Sequence, residues 1–367
     1  MIYHNQSLQM TGRITHLDSL RGIACLLVAL EHSLLCFNKS CATLLGISPV
    51  LFFFLLSGFV LSRSLIKYEA LNARDTAGYF VRRVFRLYPA ILVALIFSAF
   101  SANYFYKIPS DSIRASPWLQ ESLCNATSVI SGKQYLSSFL LKNVSLDHPL
   151  WSIRVELLCS FLLPFIIIIS KPGGSILRTT ILLITCLLLF KTYNSNIYYS
   201  PIGFLGFLLP FYLGYLIAEN EKHLVCISSI KSLMITVLAL TVYLIGFLYK
   251  EQVLLCFGMS ILLTVLIPCK WVFLLKILKS SILEFLGKIS FSFYLLHTPI
   301  LMITFCAFSN LKLQKIYSSI DIINSLWIFI ISVFLTIPLA ALSERFVEVP
   351  INAIGHRLSK AITHIPE

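Results

Sequence analysis

Six ionisable side chains fall inside apolar segments where none belongs by hydropathy: Arg21, Glu31, His32, Arg154, Glu156 and His297, with Ser57 and Tyr294 as polar companions. Charged groups in such a setting are expensive and tend to face the interior of a helix bundle. An imidazole ionises near neutrality, so His32 suits a general base that takes a proton from a hydroxyl. A carboxylate behind it can orient the ring and stabilise its charged form, and Glu156 is the candidate for that part. On one helix, the eleven residues from Arg21 to His32 span about 16 Å and bring both within about 20° of the same face. Glu156 lies about 7–8 Å beyond Trp151 along its own segment, and Ser57 about 12 Å beyond Pro49. The three groups therefore converge in depth on one half of a membrane.

Each residue also has a structural reading. A lone histidine in a span can be a packing residue bonded to a carbonyl. Arg21 lies where a side chain can reach back to an interface. Glu31 points about 100° away from His32 and suits a helix contact. Arg154 is on another face from Glu156 and suits lipid headgroups, while His297, beside Pro299, is open between site and scaffold. A second constellation, Arg82, Arg83 and Arg86, has i, i+3 and i, i+4 spacing, so its guanidinium forks can act together on a polyanion carrying phosphates. Basic residues flanking a span also serve as orientation signals and anionic-lipid anchors.

The elements that carry these groups follow from composition. The 367 residues are 57% hydrophobic and 12% charged, with a net charge of +13 and mean hydropathy of +0.86. Soluble chains carry about twice that share of charge. A soluble enzyme, a disordered chain and a disulfide scaffold are thereby disfavoured. No basic patch interleaved with aromatics marks a nucleic-acid binder. Ten scattered cysteines form no CxxC pair, so neither a zinc nor a redox site is signalled.

The expected fold is all-α and polytopic, with about ten transmembrane helices at 20–37, 47–66, 87–106, 150–170, 176–190, 201–218, 232–249, 252–268, 289–308 and 322–342. Residues 271–288, with lysines among Leu, Ile and Phe, read as a helix lying in the interface. The first apolar run reads as a retained helix rather than a signal peptide. With the N-terminus inside, 18 Lys and Arg fall on inner segments and nine on outer ones, which places both termini in the cytoplasm. Residues 1–19 and 343–367 then form cytoplasmic segments around a membrane domain at 20–342, and the outer loop at about 107–149 can cover a site. A secondary transporter or glycan flippase using an Arg/His/Glu relay is the alternative, although the chain lacks an inverted repeat.

The same segments resemble the membrane acyltransferase-3 family. Arg21, ten residues and then His32 is similar to its N-terminal signature, and Phe53-Phe54-Leu55-Leu56-Ser57-Gly58-Phe59 to its FFxxSGF motif. Arg83-Val84-Phe85-Arg86 resembles its RxxR motif, and Trp151-Ser152-Ile153-Arg154-Val155-Glu156 its WSxxxE motif. Gly287 to Pro299 resembles its GxxSYxxYLxHxP stretch, with Phe291 or Phe293 replacing an aromatic hydroxyl, and Ser343 to Pro350 is a looser match to its closing segment. The six blocks occur in order over roughly residues 17–350.

The resemblance implies transfer of an acyl group, usually acetyl, from cytoplasmic acetyl-CoA to a hydroxyl of an extracytoplasmic glycan. Lipopolysaccharide O-antigen, other envelope polysaccharides or lipid-linked glycans are the acceptors implied, in a bacterial inner membrane. The fused hydrolase-like domain of some members is not expected here, and neither metal nor nucleic acid is needed. Arg82, Arg83 and Arg86 are expected to hold the CoA phosphates, with the pantetheine arm passing Arg21 toward His32. Ser57, Trp151, Ser152, Tyr294 and His297 are expected to line the acceptor pocket or to donate to the thioester oxyanion.

Overall fold

The computed structural model describes residues 14–37, 43–68, 71–106, 115–129, 131–171, 174–194, 203–224, 229–268, 271–310 and 321–363. Of the charges counted for orientation, Arg13, Lys39, Lys107, Arg114, Lys270, Lys312 and Lys315 lie outside the described residues, as does most of the 1–19 segment. Among the described residues there are helices and no strands. They are α1 (Thr15–Leu35), α2 (Thr43–Leu65), α3 (Ala73–Tyr104), α4 (Pro117–Thr127), α5 (Gly132–Phe139), α6 (Leu150–Ser170), α7 (Gly174–Asn194) and α8 (Leu208–Glu219). A 3-10 turn at Gly203–Phe207 leads into α8. The chain continues through α9 (Glu221–Leu224), α10 (Ser229–Tyr249), α11 (Gln252–Leu266), α12 (Val272–Leu278), α13 (Ser281–Asn310), α14 (Asp321–Ser343) and α15 (Val349–Thr363).

All ten apolar segments read from the sequence fall on helices, and α6 matches its expected bounds at both ends. Among the described residues, seven helices are long and apolar enough to cross a membrane, and two apolar stretches, Gly203–Glu219 and Gln252–Leu266, are shorter. The first helix, α1, is in neither group; it carries Asp18, Arg21 and Glu31. On α7 and α10 the large apolar residues Leu187, Leu233 and Leu248 are exposed, a surface suited to hydrocarbon rather than water. The chain is an all-α membrane protein.

Two boundaries differ from the sequence reading. Helix α3 begins at Ala73, well before its apolar run, because Asn72 and Asp75 form a reciprocal capping box that satisfies the first free amides. Arg82, Arg83 and Arg86 thus sit on a helix inside the fold. Residues 271–288 are not one interfacial helix either. Helix α12 stops at Leu278, and residues 281–288 are the opening turns of α13, which runs on past Lys288 without a break. The C-terminal segment is also structured: after α14 a π-helical turn, Glu344–Glu348, continues into α15, which packs along α3.

The helix carrying Arg21 and His32 is held chiefly against α13 and α2. A Cβ on Gly22 would stand 2.8 Å from the backbone N of Gly287, so the two backbones meet with no side chain between them. Small residues at such crossings allow the close packing that drives helix association in lipid. Gly287→Val is therefore expected to destabilise the protein by about 1–3 kcal/mol through overpacking. Thermal unfolding in detergent checks this, and an unchanged Tm would refute it.

Candidate active site

At one end of the bundle, residues from α1, α2, α3, α6, α13 and α15 enclose a cavity of about 630 Å³. Six cationic side chains and four carboxylates line it. Each arginine expected to hold phosphate is already engaged. Arg83 Nη2 donates to Glu156 Oε1 at 2.7 Å, and Ser57 Oγ donates to the same oxygen at 3.1 Å. Arg86 pairs with Glu348 and lies over the Phe291 ring at 5.3 Å. Arg82 donates to Ser359, and Arg21 Nη1 to Asp18 Oδ1 at 3.1 Å. Glu156 therefore partners an arginine rather than His32.

Pairing has not exhausted the donors. Arg83 is 8% exposed, and its Nε is buried without a hydrogen-bond partner among the described residues. A buried orphan N–H is costly, and an anionic oxygen in the cavity would satisfy it. The residues present thus fit a phosphorylated acyl donor. Asn352 and His356 of α15 also line the cavity; they sit beyond the last apolar run, where hydropathy gives no signal.

The cavity wall ends at Ser152 and Tyr294, whose hydroxyls are 2.7 Å apart. Trp151 is not in that wall; its ring packs on Phe207 at 5.7 Å. His32 and His297 lie just past Tyr294, outside the wall. His297 Nδ1 is 2.5 Å from the Tyr294 carbonyl oxygen, and its Nε2 is 3.0 Å from His32 Nδ1. The two rings stack at 5.1 Å.

This network assigns the tautomers. A carbonyl only accepts, so His297 Nδ1 carries the proton and, in the neutral ring, Nε2 becomes the acceptor. His32 Nδ1 must then donate to it, which leaves the lone pair of His32 on Nε2. No hydrogen bond reaches that nitrogen among the described residues; Glu31 Oε2 is 3.9 Å away, beyond bonding range. An oriented imidazole with an open basic nitrogen is the arrangement a general base needs.

The surroundings of His32 include residues the sequence reading did not single out. Trp118 of α4 lies 5.2 Å from the His32 ring, and His148 meets it edge-on at 5.8 Å. Neighbouring Asp147 is 3% exposed, and neither carboxylate oxygen has a hydrogen-bond partner among the described residues. Burial pushes the Asp147 carboxyl well above the ordinary carboxylate range and the His148 imidazole down to about 4. The one hint in the sequence is position, directly ahead of the Trp151-Ser152 motif.

Comparison with known proteins gives this geometry its chemical setting. The model of the acyltransferase-3 family, an acyltransferase domain, matches residues 14–345. The chain belongs to this family. It is 26% identical over 391 residues to a Staphylococcus aureus (strain COL) protein named "Putative O-acetyltransferase", covering 96% of this chain and 60% of the relative. It is 25% identical over 378 residues to the peptidoglycan O-acetyltransferase OatA of Listeria monocytogenes, covering 93% of this chain and 56% of the relative. The chain thus spans about 60% of the length of the curated relatives it matches. No solved structure gives a significant match. Membership of an acyltransferase family favours chemistry over the transporter or flippase alternative.

Proposed function

We propose that the protein is an O-acetyltransferase of a bacterial plasma membrane. It takes acetyl from cytoplasmic acetyl-CoA and gives it to a hydroxyl of an extracytoplasmic glycan, with both chain termini in the cytoplasm. The name of the Listeria relative supports peptidoglycan as one acceptor of this class, and the family resemblance extends the class to O-antigen and other surface polysaccharides. The observation that carries the reading is an arginine-lined cavity walled in part by Tyr294, whose carbonyl orients His297 and through it His32.

In this reading Arg82, Arg83 and Arg86 hold the donor phosphates, and Arg21 flanks the arm that extends toward Tyr294. Bound acetyl-CoA supplies an activated thioester carbonyl. His32 Nε2 removes the proton of the sugar hydroxyl as its oxygen bonds to that carbon. The carbon–sulfur bond breaks, and the departing thiolate takes the proton from the His32 imidazolium. Ser152 and Tyr294, at the end of the cavity, are placed to donate to the carbonyl oxygen as it gains charge. Holding His32 in one tautomer means that no proton must be rearranged before transfer.

The test compares the masses of surface glycan from cells with the gene, without it, and complemented by the wild type or His32→Ala. Acetyl groups are expected to disappear on deletion and to return with the wild type alone. Identical spectra from deleted and wild-type cells would overturn the proposal.

A further inference from the structure

The mechanism leaves one buried carboxyl unused. Asp147 sits in the turn that opens α6: the Leu150 amide donates to its backbone carbonyl at 3.1 Å, and the Trp151 amide to that of His148 at 3.4 Å. The turn thus ties Asp147 rigidly to Ser152, which meets Tyr294, and His148 to His32. Both oxygens of the Asp147 carboxyl are nevertheless buried and without a hydrogen-bond partner among the described residues. A carboxyl held this way costs stability and is expected to be removed by selection unless something bonds to it. Its neighbours say what that is. Trp118 and His148, 5.6 Å apart, present aromatic surface, which suits the C–H face of a sugar ring. A carboxyl oxygen accepts a hydrogen bond from a hydroxyl and offers phosphate or carboxylate no countercharge.

We propose that Asp147 and His148, with Trp118, form the acceptor subsite at the histidine end of the bundle, and that it takes an uncharged sugar carrying a hydroxyl next to the one acetylated. Asp147 accepts a hydrogen bond from that neighbouring hydroxyl and so presents the reacting oxygen to His32 Nε2. The subsite rests on the glycan O-acetylation reading above and adds to it the residues that hold the acceptor. Asp147 binds substrate and takes no proton in the reaction.

The experiment uses envelopes isolated from cells producing the full chain, with the envelope glycan as acceptor and acetyl-labelled acetyl-CoA as donor. Initial rates of label transfer are measured while added glycan and acetyl-CoA are each varied, alongside the amount of protein in the membrane. In Asp147→Ala the KM for the glycan is expected to rise by about tenfold, the effect of losing one hydrogen bond to the acceptor. The KM for acetyl-CoA is expected to stay within about twofold, since the donor cavity is untouched. His148→Phe keeps the aromatic surface and is expected to raise the glycan KM less than His148→Ala. An unchanged glycan KM in Asp147→Ala, or a fall in kcat alone with protein present, would overturn the subsite. Wild-type envelopes that label glycan no more than envelopes lacking the gene would instead remove the reading on which it rests.

Discussion

Replacing His32 with Ala is expected to lower acetyl transfer by about 10²–10⁴-fold, the usual contribution of a positioned general base, with the protein still in the membrane. Because His297, not Glu156, accepts from His32 Nδ1 at 3.0 Å, His297→Ala is expected to lower the rate as well. Without that acceptor the His32 ring is free to turn or to carry its proton on Nε2, where it cannot act as a base. Glutamine restores an acceptor oxygen on a chain of similar reach, so His297→Gln should recover part of what His297→Ala loses. That order, wild type above His297→Gln above His297→Ala above His32→Ala, separates orientation of the base from packing. A glutamine variant no better than alanine would count against the relay, and full activity in His32→Ala would remove the base altogether. Initial rates of glycan acetylation at saturating acetyl-CoA, normalised to membrane protein, are the measurement.

What the sequence discloses is mostly what a single helix contains. Arg21 and His32 lie on one element, so the 3.6-residue period fixes their relation, and the structure keeps both in the bundle interior. The partner of Glu156 could not be read this way. Depth along a helix follows from counting, but the direction a residue faces depends on how α2, α3 and α6 pack, and that packing sends Glu156 to Arg83 and Ser57. Hydropathy likewise marks where a segment can enter lipid, not where its helix starts. The opening turns of α3 and α13 are charged enough to end an apolar window, yet both helices run through them, α3 from a capping box and α13 from Ser281 without a break. In the sequence Glu348 stands out only as part of the closing motif from Ser343 to Pro350. Its role shows once the π-helical turn brings it to Arg86 and Ser292, a local feature that recurs at functional sites. Asp147 gives no sequence signal beyond its place ahead of Trp151-Ser152, because a loop aspartate reads as solvated until the fold buries it.

The second large effect concerns Arg83, where two substitutions are expected to fail for different reasons. Glu156 accepts hydrogen bonds in the cavity from Arg83 and Ser57 alone among the described residues. Removing the guanidinium by Arg83→Ala takes away the charged one of these two donors from a partly buried carboxylate, a loss of about 1.5–3 kcal/mol that is large against the stability of a folded chain. That variant is expected to be scarce in membranes and to unfold early in detergent. Arg83→Lys keeps the charge opposite Glu156 and so keeps the protein folded. What it removes is the planar fork, including the buried Nε that has no partner in the described fold. If that nitrogen is reserved for a phosphate oxygen of the donor, Arg83→Lys should weaken acetyl-CoA binding by about tenfold or more while leaving the Tm close to wild type. Calorimetric titration of purified protein in nanodiscs with acetyl-CoA, paired with thermal unfolding, distinguishes the two cases. Wild-type affinity in Arg83→Lys would show that the arginine only holds Glu156, and the phosphates would then have to be sought at Arg82, Arg86 and the face of α15 that lines the same cavity.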